Sequence, residues 1–192
     1  MDNEFYHNSE YGGISHGVNS VPSFRNCLIA RNRYTHDAPT LTYGFVMTMK
    51  QNGGLLENCT IVSNRCTNGT KGRVAITHTA GTIRNCIIAF NENENGLADI
   101  STTVPANITH TLVTTENVID DCEGCFVADP KFKHPSRGDY RLRSNSPAIN
   151  KALWQSWMEN AKDLNGGPRL LNKAVDLGCY ECPLTGMTLI VR

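Results

Sequence analysis

Two cysteine pairs, Cys122-Glu123-Gly124-Cys125 and Cys179-Tyr180-Glu181-Cys182, have the local spacing of thiolate ligands to zinc. The stretch between Cys125 and Cys179 is far longer than the interval of a zinc ribbon, so two separate features fit better, one of them a disulfide. Glu92, Glu94 and Asp99, set among Asn91, Asn93 and Asn95, form an oxygen-rich stretch of the kind calcium takes, which makes calcium the one candidate cofactor. Their spacing matches no calcium loop, and a solvated loop fits the same residues. Asp163-Leu164-Asn165-Gly166 resembles half a calcium loop without the distal carboxylate and reads as a turn. Tyr34, Tyr43, Trp154 and Trp157 are the rings available for stacking on a sugar, although Tyr43 alternates with apolar residues as a core residue would. No column of repeated Asp or Glu supplies the paired carboxylates, about 5–9 Å apart, that glycoside hydrolysis needs.

What must position these residues is a repeat. Phe24-Arg25-Asn26-Cys27-Leu28-Ile29-Ala30-Arg31-Asn32 returns as Leu56-Glu57-Asn58-Cys59-Thr60-Ile61-Val62-Ser63-Asn64, and again as Ile83-Arg84-Asn85-Cys86-Ile87-Ile88-Ala89-Phe90-Asn91. A worn copy centres on His110, and a truncated one opens the chain, with Asp2 matched to Asn26 and Asn8 to Asn32. The steps from Asp2 to Asn26, Asn58, Asn85 and His110 all fall within the range of about 20–50 residues that marks stacked units. A glycine (Gly13, Gly44, Gly72, Gly96) precedes each landmark from Asn26 onward by a nearly constant interval, and a short β-prone run follows it. Leu41 to Met49 alternates as one strand. Repeating strands and turns without intervening helices predict parallel strands about 4.8 Å apart, each unit lying on the last. Cys27, Cys59 and Cys86 then form an interior column, a role that free cysteine fills well. Asn8, Asn32, Asn64 and Asn91 form an amide ladder in which each side chain donates to one neighbour and accepts from the other. The slip in alternation between Phe24 and Cys27 places a bend near Asn26, and Arg25, Glu57 and Arg84 are expected to make an exposed row of ion pairs.

The 192 residues carry 18 Lys and Arg against 18 Asp and Glu. Zero net charge argues against a nucleic-acid binder. No apolar run approaches the ~18 residues of a membrane span. The polar N-terminus carries no signal peptide and begins inside a repeat, which is expected of a piece cut from a longer chain. Residues 1–121 are therefore read as the repeat array. Residues 122–192 are read as a tail that covers its end, with a short helix from Leu153 to Ala161 carrying both tryptophans.

The repeats resemble right-handed parallel β-helix proteins of the pectin-lyase-like superfamily. The tail, through Asp129-Pro130-Lys131-Phe132, Gly138-Asp139-Tyr140-Arg141-Leu142, Ser146-Pro147-Ala148-Ile149-Asn150, Asp163 to Arg169 and Ala174 to Glu181, is similar to the C-terminal region of choice-of-anchor Q domain proteins. The resemblance implies an all-β fold of four or five coils with an irregular C-terminal cap, secreted or held at a bacterial cell surface. Lyases of this superfamily pair calcium with Arg or Lys, which would make Arg31, Lys71, Arg73 and His78 the catalytic candidates. They also generally have more coils than this chain, so the expectation is a non-catalytic scaffold with polysaccharide as its partner. The alternative is a C-terminal fragment of a polysaccharide lyase or glycoside hydrolase. The partners expected for the first coil are preceding coils of a longer chain or a second copy of itself.

Overall fold

Asn26, Asn58, Asn85 and His110 all hold positive φ, at 55°, 48°, 57° and 45°. Asparagine tolerates this left-handed conformation better than most side chains, so a recurring Asn turns the chain at the same point of every unit. A second left-handed corner follows at Arg31, Ser63 and Phe90, with φ of 59°, 55° and 55°. Strands fall between these corners. The structure, a computed structural model, describes residues 4–5, 14, 21–34, 44–50, 53–67, 73–116, 120–171 and 173–183.

The units that begin at Ser23, Leu55 and Thr82 each contribute to four sheets, and the unit that begins at Ile108 contributes to two of them. The first sheet holds Ser23–Arg25, Leu55–Glu57, Thr82–Arg84 and Ile108–Thr109, and the second Leu28–Ala30, Thr60–Val62, Ile87–Ala89, Leu112–Val113 and Phe126–Val127. The third holds Glu4–Phe5, Arg33–Tyr34, Arg65–Cys66 and Glu92–Asn93, with Gly96–Leu97 added antiparallel. The fourth holds Met47–Met49, Ile76–His78 and Ile100–Thr102. Pairing is otherwise parallel and follows the sequence repeat: Phe24 lies opposite Leu56, Leu56 opposite Ile83, and Ile83 opposite Ile108. Ile29, Ile61, Ile88 and Val113 align in the same way. The described residues form strands, turns and three 3-10 turns, an all-β arrangement. Parallel pairing continues past residue 121, because Glu123 bridges to Thr109 and Phe126–Val127 pairs with Leu112–Val113.

The interior columns arise from this alignment. Cys27, Cys59 and Cys86 are free thiols and make the same bond in each unit, Sγ to the carbonyl two positions back, at 3.2, 3.3 and 3.2 Å. The amide ladder also forms. Asn32 Nδ2 donates to Asn64 Oδ1 at 2.8 Å, and Asn64 Nδ2 donates to Asn91 Oδ1 at 2.9 Å. Asn91 Nδ2 then donates to Asp99 Oδ1 at 2.9 Å, so a carboxylate ends the ladder. Asn64 and Asn91 also donate to the carbonyls of Ile29 and Ile61 in the preceding unit.

Several expectations need correction. Glu4 pairs with Arg33, a wider offset than the match of Asp2 to Asn26 implies. Asn8, the expected first member of the amide ladder, is outside the described residues, and a stretch rich in asparagine offers more than one equally good alignment. Of the run from Leu41, residues 41–43 lie outside the described residues; in the rest Met47–Met49 is the strand, and Phe45 to Met49 are all buried instead of alternating. The helix from Leu153 to Ala161 is a single 3-10 turn at Ser156–Met158. Leu153 cannot open a helix because its N–H and C=O are both taken by the Asn85 side chain, at 2.7 and 2.8 Å.

The tail runs along the flank of the stack. Asn26, Asn58 and Asn85 donate to the carbonyls of Lys162, Asp176 and Leu153, one clamp per unit. Gly178, at φ 81°, lies so close that a Cβ there would meet Thr60 Oγ1 at 2.5 Å. The hairpin of Phe132–His134 and Asp139–Leu142 covers the outer face of the second sheet, where Val62, Ile87, Ala89 and Leu112 pack with Phe132, Tyr140, Leu142 and Leu177. The second sheet is thus buried on both faces, as its unbroken apolar strands require.

Asn64→Ala removes an acceptor for Asn32 and donors to Asn91 and Ile29, leaving buried polar groups unmatched. Urea unfolding should show a loss of about 2–4 kcal/mol for it, against a change within about 0.5 kcal/mol for Arg65→Ala, whose side chain points out of the stack.

Candidate functional site

Alternation in the third sheet sends Tyr34 and Cys66 inward, and Arg33, Arg65 and Glu92 outward. Arg33 and Arg65 are direct neighbours across parallel strands, and like charges so placed repel. The second corner column stands beside them. Arg31, Ser63, Phe90 and the outward row therefore share one wall of a groove of about 840 Å³, closed on the other side by Pro135, Ser136 and Tyr140 of the tail hairpin. Arg33 Nε reaches Thr67 Oγ1 at 3.5 Å, and Arg65 Nε is 4.0 Å from Glu92 Oε2. Arg31 leans toward the hairpin turn, its Nη1 3.5 Å from where a Cβ on Gly138 would stand. Three guanidinium groups, hydroxyls at Ser63, Thr67 and Ser136, and the rings of Phe90 and Tyr140 give a cationic surface with apolar patches. That arrangement takes an extended anionic ligand.

A second cleft, of about 480 Å³, is lined by Asp99, Asp120, Asp121, Ser101, Thr102 and neighbours. Its innermost carboxylate is committed. Asp99 Oδ1 accepts from the N–H and side chain of Asn91, and Oδ2 from the N–H and hydroxyl of Thr114, at 2.6–3.0 Å. Burial raises the Asp99 pKa, and these four bonds oppose the rise.

The residues expected to do chemistry do not converge. His78 is buried, with Nδ1 3.0 Å from Thr102 Oγ1 and Nε2 3.3 Å from the Gly81 carbonyl; burial disfavours its charged form and lowers its pKa. Arg73 is buried apart from both clefts, and burial lowers its pKa as well. Only Arg31 of the catalytic candidates lines the groove, and Lys71 lies outside the described residues. The calcium candidates separate: Asp99 ends the amide ladder, Glu92 faces Arg65, and Glu94 is an exposed turn residue. Among the described residues no three His, Cys, Asp or Glu side chains gather as a metal site. Cys122 and Cys125 form a disulfide, whereas Cys179 and Cys182 are buried free thiols. Tyr34 is core, its ring 5.6 Å from that of Phe45, and Tyr43 lies outside the described residues. Trp157 packs on Arg25, leaving Trp154, 48% exposed, as the open ring. The row of Arg25, Glu57 and Arg84 is in register as expected, but its carboxylate is fully buried instead of exposed, because two arginine stems close over it.

Sequence reasoning passed over Arg33 and Arg65. Their signal was the dipeptide Asn-Arg, repeated as Asn32-Arg33 and Asn64-Arg65, which puts an outward cation just past each ladder residue. The opposite wall of the groove comes from residues 135–140, distant in sequence and visible only in three dimensions.

The turn at Asp163 belongs to a buried polar cluster that holds the tail. Asp163 accepts from Asn165, Gly167 and Glu181, and Asp176 accepts from Asn150 and Cys182. Arg169, fully buried, donates through Nη2 to the carbonyls of Asp176 and Gly178 at 3.1 and 2.5 Å. Its Nε lies 3.3 Å from Glu181 Oε1 but is not aligned for a hydrogen bond. Set against models of known families, the curated proteins and the solved structures, the chain finds no match in any of the three.

Burial outweighs the ill-aligned Arg169 contact and pushes the Glu181 pKa up to about 8. The fold thus favours the neutral acid, a contribution present below the unfolded pKa of 4.5 and lost as pH rises toward 8. Urea midpoints should fall between about pH 5 and about pH 8 for the wild type, and fall less for Glu181→Gln, which keeps the neutral form throughout. Equal declines in the two proteins would remove Glu181 from this role.

Proposed function

We propose that this chain is part of a right-handed parallel β-helix of the pectin-lyase-like kind, and that its lateral groove holds an acidic polysaccharide without cleaving it. The β-helix reading is supported by four sheets in which successive units pair parallel and in register, with the second corner at Arg31, Ser63 and Phe90 followed each time by a stacked Asn. The observation that carries the binding reading is the Arg33–Arg65 pair. Like charges are set side by side on an open wall with Arg31, Glu92 answers only Arg65 and at 4.0 Å, and a polyanion relieves the repulsion that is left. An extended polymer with a negative group at intervals suits a groove whose cations recur at strand spacing. Phe90 and Tyr140 supply ring surface for sugar faces.

The scaffold reading follows from where the acids and bases lie. His78 and Asp99 are buried and engaged, so neither is offered to a sugar at the groove. The Cys122–Cys125 disulfide supports a secreted or surface-attached protein, since such bonds persist in oxidising compartments.

Titration with polygalacturonate and alginate, beside neutral dextran, should show salt-sensitive binding of the acidic polymers alone. The double variant Arg33→Ala/Arg65→Ala should weaken that binding by about tenfold or more, the loss expected from two charged contacts. Unaltered affinity in this variant would remove the groove from the account. Unsaturated-product absorbance appearing with any acidic polymer would replace the scaffold with a lyase.

A further inference from the structure

Glu57 sits in the first sheet between Arg25 and Arg84 of the two flanking strands. Its side chain is fully buried. Arg25 Nε donates to Oε2 at 2.7 Å and Arg84 Nε donates to Oε1 at 2.5 Å. Each guanidinium gives the carboxylate only its Nε. The Nη1 and Nη2 groups of both make no hydrogen bond among the described residues, and the side chains remain 45% and 27% exposed. Arg25 is held from a third side by Trp157, whose ring centre is 5.6 Å from its Cζ.

A guanidinium whose Nε is engaged still presents its end-on edge, a fork of two NH₂ groups in one plane. Here two such forks stand on strands either side of one buried carboxylate, each anchored to it through Nε. The triad carries one net positive charge. A planar carboxylate has two oxygens and satisfies one fork. A tetrahedral oxyanion has enough oxygens to engage both. We infer that Arg25 and Arg84 bind a sulfate or phosphate group, with Glu57 as the positioning residue. The group is either a free ion or an ester on a polymer. This site shares no residue with the lateral groove and does not depend on what the groove holds.

Trp157 makes the test direct. The chain has two tryptophans, so Trp154→Phe leaves Trp157 as the sole indole, in contact with Arg25. Titration of that variant with sodium sulfate and sodium phosphate, at ionic strength held constant with sodium chloride, should give a saturable change in its emission. Adding Arg84→Gln should shift half-saturation by about tenfold or more, the loss expected when one charged fork is removed. If thermal melting shows that this variant fails to fold, Arg84→Lys keeps the charge without the fork and should also weaken binding. Dextran sulfate that saturates the signal at far lower sulfate-group concentration assigns the group to a polymer, and an equal response per group assigns it to the free ion. No saturable change beyond that of chloride, or unchanged half-saturation in the folded Arg84 variant, overturns the inference.

Discussion

A buried amide has to be matched, and along one column of this protein the match is the equivalent asparagine of the next unit. Asn32 donates to Asn64 and Asn64 to Asn91 along the stack, and Asn64 and Asn91 give their remaining donor to backbone of a neighbouring unit. An unmatched buried amide costs about 1–3 kcal/mol, so a slip of one position in any unit would break several such bonds at once. The register that this enforces also sets the aliphatic columns and the thiol column. The ladder needs an end that only accepts. Asp99 provides it, and its second oxygen ties Thr114, so an acid whose neighbours in sequence suggest a metal is instead the terminus of the amide column.

A second column of asparagines does different work. Asn26, Asn58 and Asn85 occupy the left-handed corner, where their side chains point out and grip the tail. The same residue type thus serves as an inner ladder in one column and as an outer clamp in the other. The outer clamps bring the tail across several units, and the tail hairpin then closes the outer face of the second sheet. Burial on both faces explains why these strands are apolar throughout while those of the third sheet alternate with charge.

Arginine occurs in three environments with three consequences. Arg169 is wholly enclosed and carries the tail through backbone carbonyls, with the Glu181 carboxyl beside it pushed toward its neutral form by burial. Arg25 and Arg84 share one enclosed carboxylate but keep their outer edges in water. Arg31, Arg33 and Arg65 line an open groove, where Glu92 lies 4.0 Å from Arg65. Overall neutrality therefore hides an uneven distribution: three arginines and one glutamate face the groove, and Asp120 and Asp121 edge the other cleft.

The repeat was legible because stacking requires the same side chain at the same place in every unit. From it came the parallel pairing, the columns of Cys27, Cys59 and Cys86 and of Asn32, Asn64 and Asn91, and the bend at Asn26. Periodicity failed where the controlling partner lay elsewhere in the chain. Glu57 looked like surface charge because nothing near it in sequence reveals the arginine stems that close over it. The tryptophan segment looked helical because the clamp on Leu153 comes from Asn85, far back in the repeat array. The groove needed both kinds of information. Its arginine wall repeats with the units and could be read, whereas its far wall is set by the docking of the tail hairpin, a matter of long-range packing that local patterns do not encode.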